Sequence, residues 1–189
     1  YEAKIMALQA QINPHFLFNM LNNANVLIWK NKKEAQYVLY KLEDLLRYQL
    51  NEINKDKVLL SFDIRFIDDF LNLEKIRRDK FEYSILKEGN MEGVWLPPLL
   101  FIPFVENAIK HNHDATFLSY VHLGFIINPG CLEFYCENSK PINKPFKNRP
   151  GGLGLKNIQR RLALLYPERY KLDIYNEDTK YIVKLKLIL

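Results

Sequence analysis

Three short segments hold side chains whose types and spacing suit chemistry. In Gln11-Ile12-Asn13-Pro14-His15-Phe16-Leu17-Phe18-Asn19, His15 stands one helical turn before Asn19. An imidazole serves as general base, metal ligand or phosphoacceptor near neutral pH. No Glu, Cys or second His stands at ligand spacing beside it, which argues against a metal there. In Pro103-Phe104-Val105-Glu106-Asn107-Ala108-Ile109-Lys110-His111-Asn112, the residues Glu106, Asn107 and Lys110 fall within one turn, with Asn107 and Lys110 on one face. An amide oxygen beside a carboxylate and a cation suits Mg²⁺ that arrives with phosphates. That ion takes oxygen ligands, keeps several waters and needs few protein groups. In Gly151-Gly152-Leu153-Gly154-Leu155-Lys156-Asn157, glycines precede a helical pattern. They let backbone N–H groups approach phosphate oxygens, and a helix N-terminus favours the negative charge. The spacing is neither a Walker A loop nor a Rossmann fingerprint. Singly, each segment also fits a plain role: a core histidine, a solvated helix face, a surface turn.

The elements that must position these groups follow from periodicity. Ile5, Leu8, Ile12, His15, Asn19, Asn22, Val26 and Trp29 recur at alternating spacings of three and four. Either one long helix over 2–29 kinks at Pro14, which is the favoured reading, or Asn13 caps a new helix with Pro14 at its first position; polar residues occupy the middle of the seam. Val38, Leu42, Leu45, Leu46 and Tyr48 predict a second helix over 33–51 after a turn at 30–33. Two helices joined by a short turn form a hairpin, and its exposed seam invites a partner hairpin in a four-helix bundle. A linker over 51–57 leads to a helix over 61–78, with Ser61 as N-cap and Asp63 in the first turn. Phe81, Tyr83 and Ile85 alternate as a strand, with Val94 and Leu96 as a neighbour. A helix over 98–112 follows, then strands over 119–127 and 132–137 joined at Asn128-Pro129-Gly130. A loop over 138–150, a helix to about residue 166, and strands over 171–175 and 181–187 complete the chain. The class is α+β, with helices on one face of a mostly antiparallel sheet.

Composition narrows the function classes. The 189 residues are 48% hydrophobic and 26% charged, the balance of a folded chain and not of a disordered tail. The net charge of +5 is scattered, which permits an anionic partner but forms no stripe for nucleic acid. Two cysteines, Cys131 and Cys136, form neither a disulfide framework nor a zinc pattern and read as buried thiols. The longest apolar stretch, residues 96–105, is broken by Pro97, Pro98 and Pro103; it falls short of the roughly 20 residues of a membrane helix. No signal peptide is visible, and a chain that opens at Tyr1 reads as a fragment.

Taken in order, the three segments resemble the motifs of the LytS-like family of sensor histidine kinases. Asn13–Asn19 reads NPHFLFN, the family's H-box; 103–111 matches the N-box form P-x-x-E-N-A-I-K-H; 152–162 matches the G-box GxGLxNxxxRL through Gly152, Gly154, Leu155, Asn157, Arg161 and Leu162. The resemblance implies a dimerising, phosphoacceptor hairpin over 1–58, followed by a Bergerat-type (GHKL) ATP-binding α/β sandwich over 59–189. It implies His15 as phosphoacceptor, Asn107 as the Mg²⁺ ligand, and Lys110, His111, Gly152, Gly154, Leu155 and Asn157 around ATP. The loop 138–150 would form a lid. Cys136-Glu137-Asn138-Ser139-Lys140-Pro141 stands where this fold usually has an Asp-x-Gly-x-Gly box, so Glu137 or Asn138 would receive the adenine amino group.

Partners implied are a second copy through the N-terminal helices and a response regulator, often of LytTR type. A membrane anchor would lie upstream, leaving this portion in the bacterial cytoplasm. The carboxylate that ATPases of the fold place one turn before the Mg²⁺ asparagine is here Pro103, which favours a kinase over a hydrolytic clamp. Phe16 follows His15 where many histidine kinases have an acid, so Glu106 is a candidate base. Asn19 is a candidate for orienting water in dephosphorylation of the regulator. The alternative is a catalytically degenerate, nucleotide-sensing dimerisation module.

Overall fold

The computed structural model describes residues 13–114, 116–142 and 153–189. The expected helix before Asn13, Gly152 and the loop from residue 143 lie outside them. The described chain divides into two compact units. One holds the chain to Asp79 with Trp95–Leu99; the other holds Lys80–Val94 with Leu100–Leu189.

In the first unit, α1 (Pro14–Lys30) and α2 (Lys32–Glu52) form the hairpin, followed by β1 (Val58–Leu59) and α3 (Leu60–Arg77). The helix does not run unbroken through Pro14. Asn13 has ψ 123°, and its side chain accepts the His15 N–H at 3.0 Å. Asn13 is therefore an N-cap with proline in the first turn, where its missing N–H costs nothing. The turn is also shorter than expected. Asn31 alone breaks the two helices: its N–H donates to the Leu27 carbonyl at 2.7 Å and its side chain accepts from the Glu34 N–H.

The buried stripe of α1 is Phe16, Met20 and Ala24, not the seam through His15 and Asn19. It meets Ala35, Val38, Leu42 and Leu45 of α2, and Phe16 stacks on Phe70 of α3 at 4.3 Å. The seam is left outside, with Trp29 89% exposed and Val26 54% exposed. Helix α3 groups with the hairpin, so the unit continues well past residue 58. Val94 and Leu96 do not neighbour the strand at 81. Instead β3 (Trp95–Leu96) pairs antiparallel with β1.

Ser61 is not a cap. Helix α3 starts at Leu60 directly after β1 without a side-chain cap, and Asp63 turns inward. Its Oδ1 accepts from the Tyr48 hydroxyl at 2.9 Å and from the Leu99 N–H at 3.1 Å. Leu99 has φ 55°, a left-handed conformation that costs a non-glycine residue about 1 kcal/mol. Burial first, and Asp63 second, push the Tyr48 phenol far above its ordinary range.

In the second unit, β2 (Phe81–Glu88), β4 (Ser119–Asn128), β5 (Cys131–Ser139), β7 (Lys180–Ile188) and β6 (Tyr170–Asn176) form a sheet in the order β2-β4-β5-β7-β6. Only β2–β4 is parallel; the connection between them, residues 89–118, has the length a crossover needs. Helix α4 (Ile102–His111) starts four residues later than expected, because Pro98 and Leu99 belong to the turn held by Asp63. Helix α5 (Leu153–Leu165) lies beside it.

Period-two alternation gives the sheet two unlike faces. Phe125, Phe134 and Cys136 face α4. Phe134 packs against Phe101, Phe104 and Phe125 with centroids 4.7, 5.7 and 5.1 Å away. Cys136 is buried, which pushes its thiol up to about 12, with the Glu137 charge adding. Cys131 is only half-buried and, like Cys136, free. On the other face Glu137 accepts hydrogen bonds from the hydroxyls of Tyr135 and Tyr120 and from Lys180 Nζ at 3.5 Å.

Replacing Asp63 by Ala strands two buried donors and should lower stability by about 3 kcal/mol; Tyr48→Phe removes one bond and should cost about 1 kcal/mol. Urea unfolding of the two variants checks the ratio. Burial alone would raise the Glu137 carboxyl, but the Tyr135 and Tyr120 hydroxyls and the Lys180 charge outweigh it and hold it below its ordinary value. Its contribution to stability is therefore complete above the unfolded carboxyl value of about 4.3 and lost as pH falls through the lower folded value. Glu137→Gln should flatten that acid limb in melting temperatures recorded between neutral and acid pH, and an unchanged limb would contradict the assignment.

Candidate functional site

The H-box folds as it does because Asn13 and Pro14 start the helix. His15 then falls in the first turn of α1, exposed. Four residues on, the Asn19 amide lies 3.2 Å from His15 Nδ1. An asparagine amide satisfies either tautomer of this ring. Its Nδ2 donates to a bare Nδ1; turned by half a rotation, its Oδ1 accepts from Nδ1–H. The second arrangement leaves Nε2 with a free lone pair and no proton. Asn19 is thus the side chain that meets the ring from one turn away, and Phe16 follows His15 directly. Glu106 belongs to the second unit and makes an interaction of its own.

In the second unit, Glu106, Asn107, Lys110 and His111 all lie on α4, as the motif requires. Pro103 and Asn107 share one face, a turn apart, whereas Glu106 is about 100° around the helix from Asn107. Asn107 is half-buried, and its side chain makes no hydrogen bond among the described residues. Sequence reasoning missed two residues that fix the end of this helix. Asn112 is fully buried, closes α4 through its N–H to Ala108, and donates its side-chain amide to the Tyr120 carbonyl of β4 at 3.1 Å. Asp114 accepts from the N–H groups of Thr116 and Phe117 and, at 3.3 Å, of Ile142. These amides, those of Thr116 and Phe117 foremost, hold its carboxyl below the ordinary range. The Asp-x-Thr spacing of an Asx turn was the available signal; the contact to Ile142 had none.

Glu137 and Asn138 separate by alternation. Asn138 pairs with Val121 on the face that Phe134 and Cys136 share, and it is buried. Its Nδ2 donates to the Ser139 carbonyl at 2.9 Å, and its Oδ1 accepts nothing among the described residues. Glu137 pairs with His122 on the opposite face, held by two tyrosines and a lysine. The structure thus brings Asn138, and not Glu137, to the side that α4 covers.

Gly154, Leu155 and Asn157 occupy the first turns of α5, with Gly154 and Asn157 exposed. A Cβ on Gly154 would meet nothing within 4 Å among the described residues. Among the described residues no group of three or more His, Cys, Asp or Glu side chains is gathered to hold a metal ion. A cation at Asn107 would take one protein oxygen and draw its other ligands from phosphates and water.

Residues 3–81 match the family model for histidine kinases. The sensor protein LytS of Streptococcus agalactiae is 33% identical over 181 residues, which cover 87% of this chain and 30% of the relative. The chain spans about a third of the length of the LytS relatives it matches. In fold, the histidine kinase domain of the Erythrobacter litoralis EL346 blue-light activated kinase superposes with TM-score 0.55 at 14% identity, covering 100% of this chain and 93% of that one. Histidine kinase ThkA in complex with response regulator protein TrrA gives TM-score 0.50 at 15% identity, covering 93% of this chain and 59% of that one. With three motifs in order, an N-terminal hairpin and a GHKL-type sheet, the chain belongs to the LytS-like sensor histidine kinase family.

Proposed function

We propose that this chain is the kinase portion of a two-component sensor that phosphorylates itself on His15 from ATP and passes the phosphoryl group to an aspartate of a response regulator. The observation that carries this reading is the Asn19 amide 3.2 Å from Nδ1 of an exposed H-box histidine. With Nδ1–H held by Asn19, the Nε2 lone pair forms the P–N bond as the bond from the γ-phosphorus to ADP breaks, and the ring proton leaves to solvent. The phosphoryl group then stands in the first turn of α1, where helix N–H groups favour negative charge.

Nucleotide belongs to the second unit. Bound Mg²⁺ would neutralise charge developing on the phosphates. Asn107 would offer it an oxygen, and Lys110, His111, Gly152, Gly154, Leu155 and Asn157 would be the residues that bind ATP. Asn138 Oδ1 offers an acceptor to the adenine amino group. Pro103 puts no carboxylate on the Asn107 face of α4, which limits wasteful hydrolysis. The reading keeps residues 1–58 for phosphoacceptance and dimer contacts, and every proposed nucleotide-binding residue lies within 59–189.

The exposed seam through Val26 and Trp29 supports a homodimer. The complex of ThkA with TrrA supports a regulator as partner, here one with a LytTR-type output. No direct nucleic-acid role is proposed. This portion would lie in the cytoplasm, below a membrane segment upstream; no helix among the described residues is long and apolar enough to cross a membrane.

Incubation with γ-labelled ATP and Mg²⁺ should give acid-labile, alkali-stable label that His15→Gln abolishes. Nucleotide-dependent melting without label would instead support a nucleotide-sensing scaffold. Asn19→Ala should slow labelling about tenfold, the worth of one positioning hydrogen bond. Asn19→Asp should retain the rate while moving the acid limb of the pH–rate profile upward, because a carboxylate favours the unreactive imidazolium. Equal rates and profiles in all three proteins would remove Asn19 from the mechanism. Unchanged dephosphorylation of a purified phospho-regulator by Asn19→Ala would confine its role to the ring.

A further inference from the structure

The face of the sheet turned away from α4 is concave and ligand-sized. Across the sheet in strand order, one transverse row runs Leu86, Gly124, Tyr135, Lys184, Asp173. The row on one side carries Ser84 and His122; the row on the other carries Ile126, Glu133, Lys186 and Lys171. These side chains line a groove of about 570 Å³, within the roughly 300–1,000 Å³ of small-molecule sites.

Gly124 opens the floor of this groove, and the fold gives no other reason for it. Gly89, Gly93 and Gly130 have positive φ, and a Cβ on Gly89 would stand 2.3 Å from the Ile127 carbonyl oxygen. Gly124 has no such φ, and its Cβ would meet only Tyr135 Cβ at an ordinary 3.6 Å. Glycine inside a strand weakens it and often marks close approach by a ligand. The Tyr135 hydroxyl is drawn along its own strand to Glu137, which keeps the ring from closing over the gap.

Charge names the occupant. Lys171 pairs with Asp173 at 2.9 Å and Lys186 with Glu133 at 3.3 Å. Lys184 makes no ion pair among the described residues; its ammonium lies over the Tyr175 ring at 5.4 Å. Three lysines thus line the groove against two carboxylates. At the opposite end, Ser84 Oγ and His122 Nδ1 are 2.8 Å apart, a polar pair able to meet a hydroxyl. From β2 to β7 is three strand spacings, about 14 Å, room for two fused rings with a polar group at each end and a hydrogen-bonding side chain beyond each.

We propose that this open sheet face is a second binding site, distinct from the nucleotide side, for a planar aromatic carboxylate. Its rings lie over Gly124 between Leu86, Ile126 and Tyr135, and its carboxylate meets Lys184. The site stands on the second unit alone and does not depend on the kinase reading.

The probe is 6-hydroxy-2-naphthoate, titrated into the ¹⁵N-labelled chain with 2-naphthylmethylamine as the cationic control. The expected result is saturable shifts confined to the amides around Leu86, Gly124, Tyr135 and Lys184, absent with the amine and unaffected by Mg·ADP. Gly124→Leu fills the floor and should abolish them. Lys184→Gln should weaken binding about fivefold, the upper range for an exposed ion pair. Should Gly124→Leu not fold, Lys184→Glu, a charge reversal on an outward-facing position, should remove binding in its place. No saturable shift, shifts centred on α4 or the hairpin, displacement by Mg·ADP, or full binding by Lys184→Glu would each overturn the proposal.

Discussion

Phe134 packs its ring against Phe101, Phe104 and Phe125, and this cluster pins α4 to one side of the sheet. Each ring offers a large apolar area, and tilted or edge contacts at these separations add about 0.5–1.5 kcal/mol per pair beyond burial. The consequence runs along β5. Once Phe134 is committed inward, Cys136 and Asn138 must follow it and Tyr135 and Glu137 must not, because successive strand residues point to opposite faces. The same commitment passes to β4 and β7 through the register Phe125–Phe134–Leu185. One core contact therefore decides which polar groups face α4 and which face the open groove.

The first unit solves a different problem. Helix α1 has apolar residues on more than one stripe, and the hairpin with α3 can cover only one. Phe16, Met20 and Ala24 are the ones buried, with Phe16 stacked on Phe70 of α3. His15 is thereby kept exposed, with the half-buried Asn19 beside it. Caps reinforce this arrangement. Asn13 and Asn31 each satisfy N–H groups that a helix end leaves without partners, and so set the position of His15 within its turn.

The motifs were legible because each is local. His15 with Asn19, and Asn107 with Lys110, need only the helical period to come together, and the period is written in neighbouring residues. The α+β class, the two hairpins at residues 128–130 and 176–180, and the sheet's mostly antiparallel character came from alternation and turn residues. Boundaries failed where a partner distant in sequence intervened. Asp63 reads as a first-turn acid, yet it is buried by Tyr48 and Leu99, which lie 15 and 36 residues away. Trp95–Leu96 reads as a neighbour of β2, yet it pairs with Val58–Leu59.

Residue order by itself therefore determined the family, the chemistry on offer and the identity of the phosphoacceptor candidate, because these rest on types and short spacings. Tertiary structure alone decided which helix stripe is buried, which of Glu137 and Asn138 faces α4, and that Gly124 lies beneath an open groove. Each of those outcomes depends on pairing across strands or packing between helices. Such contacts join residues whose separation along the chain carries no record of their meeting in space.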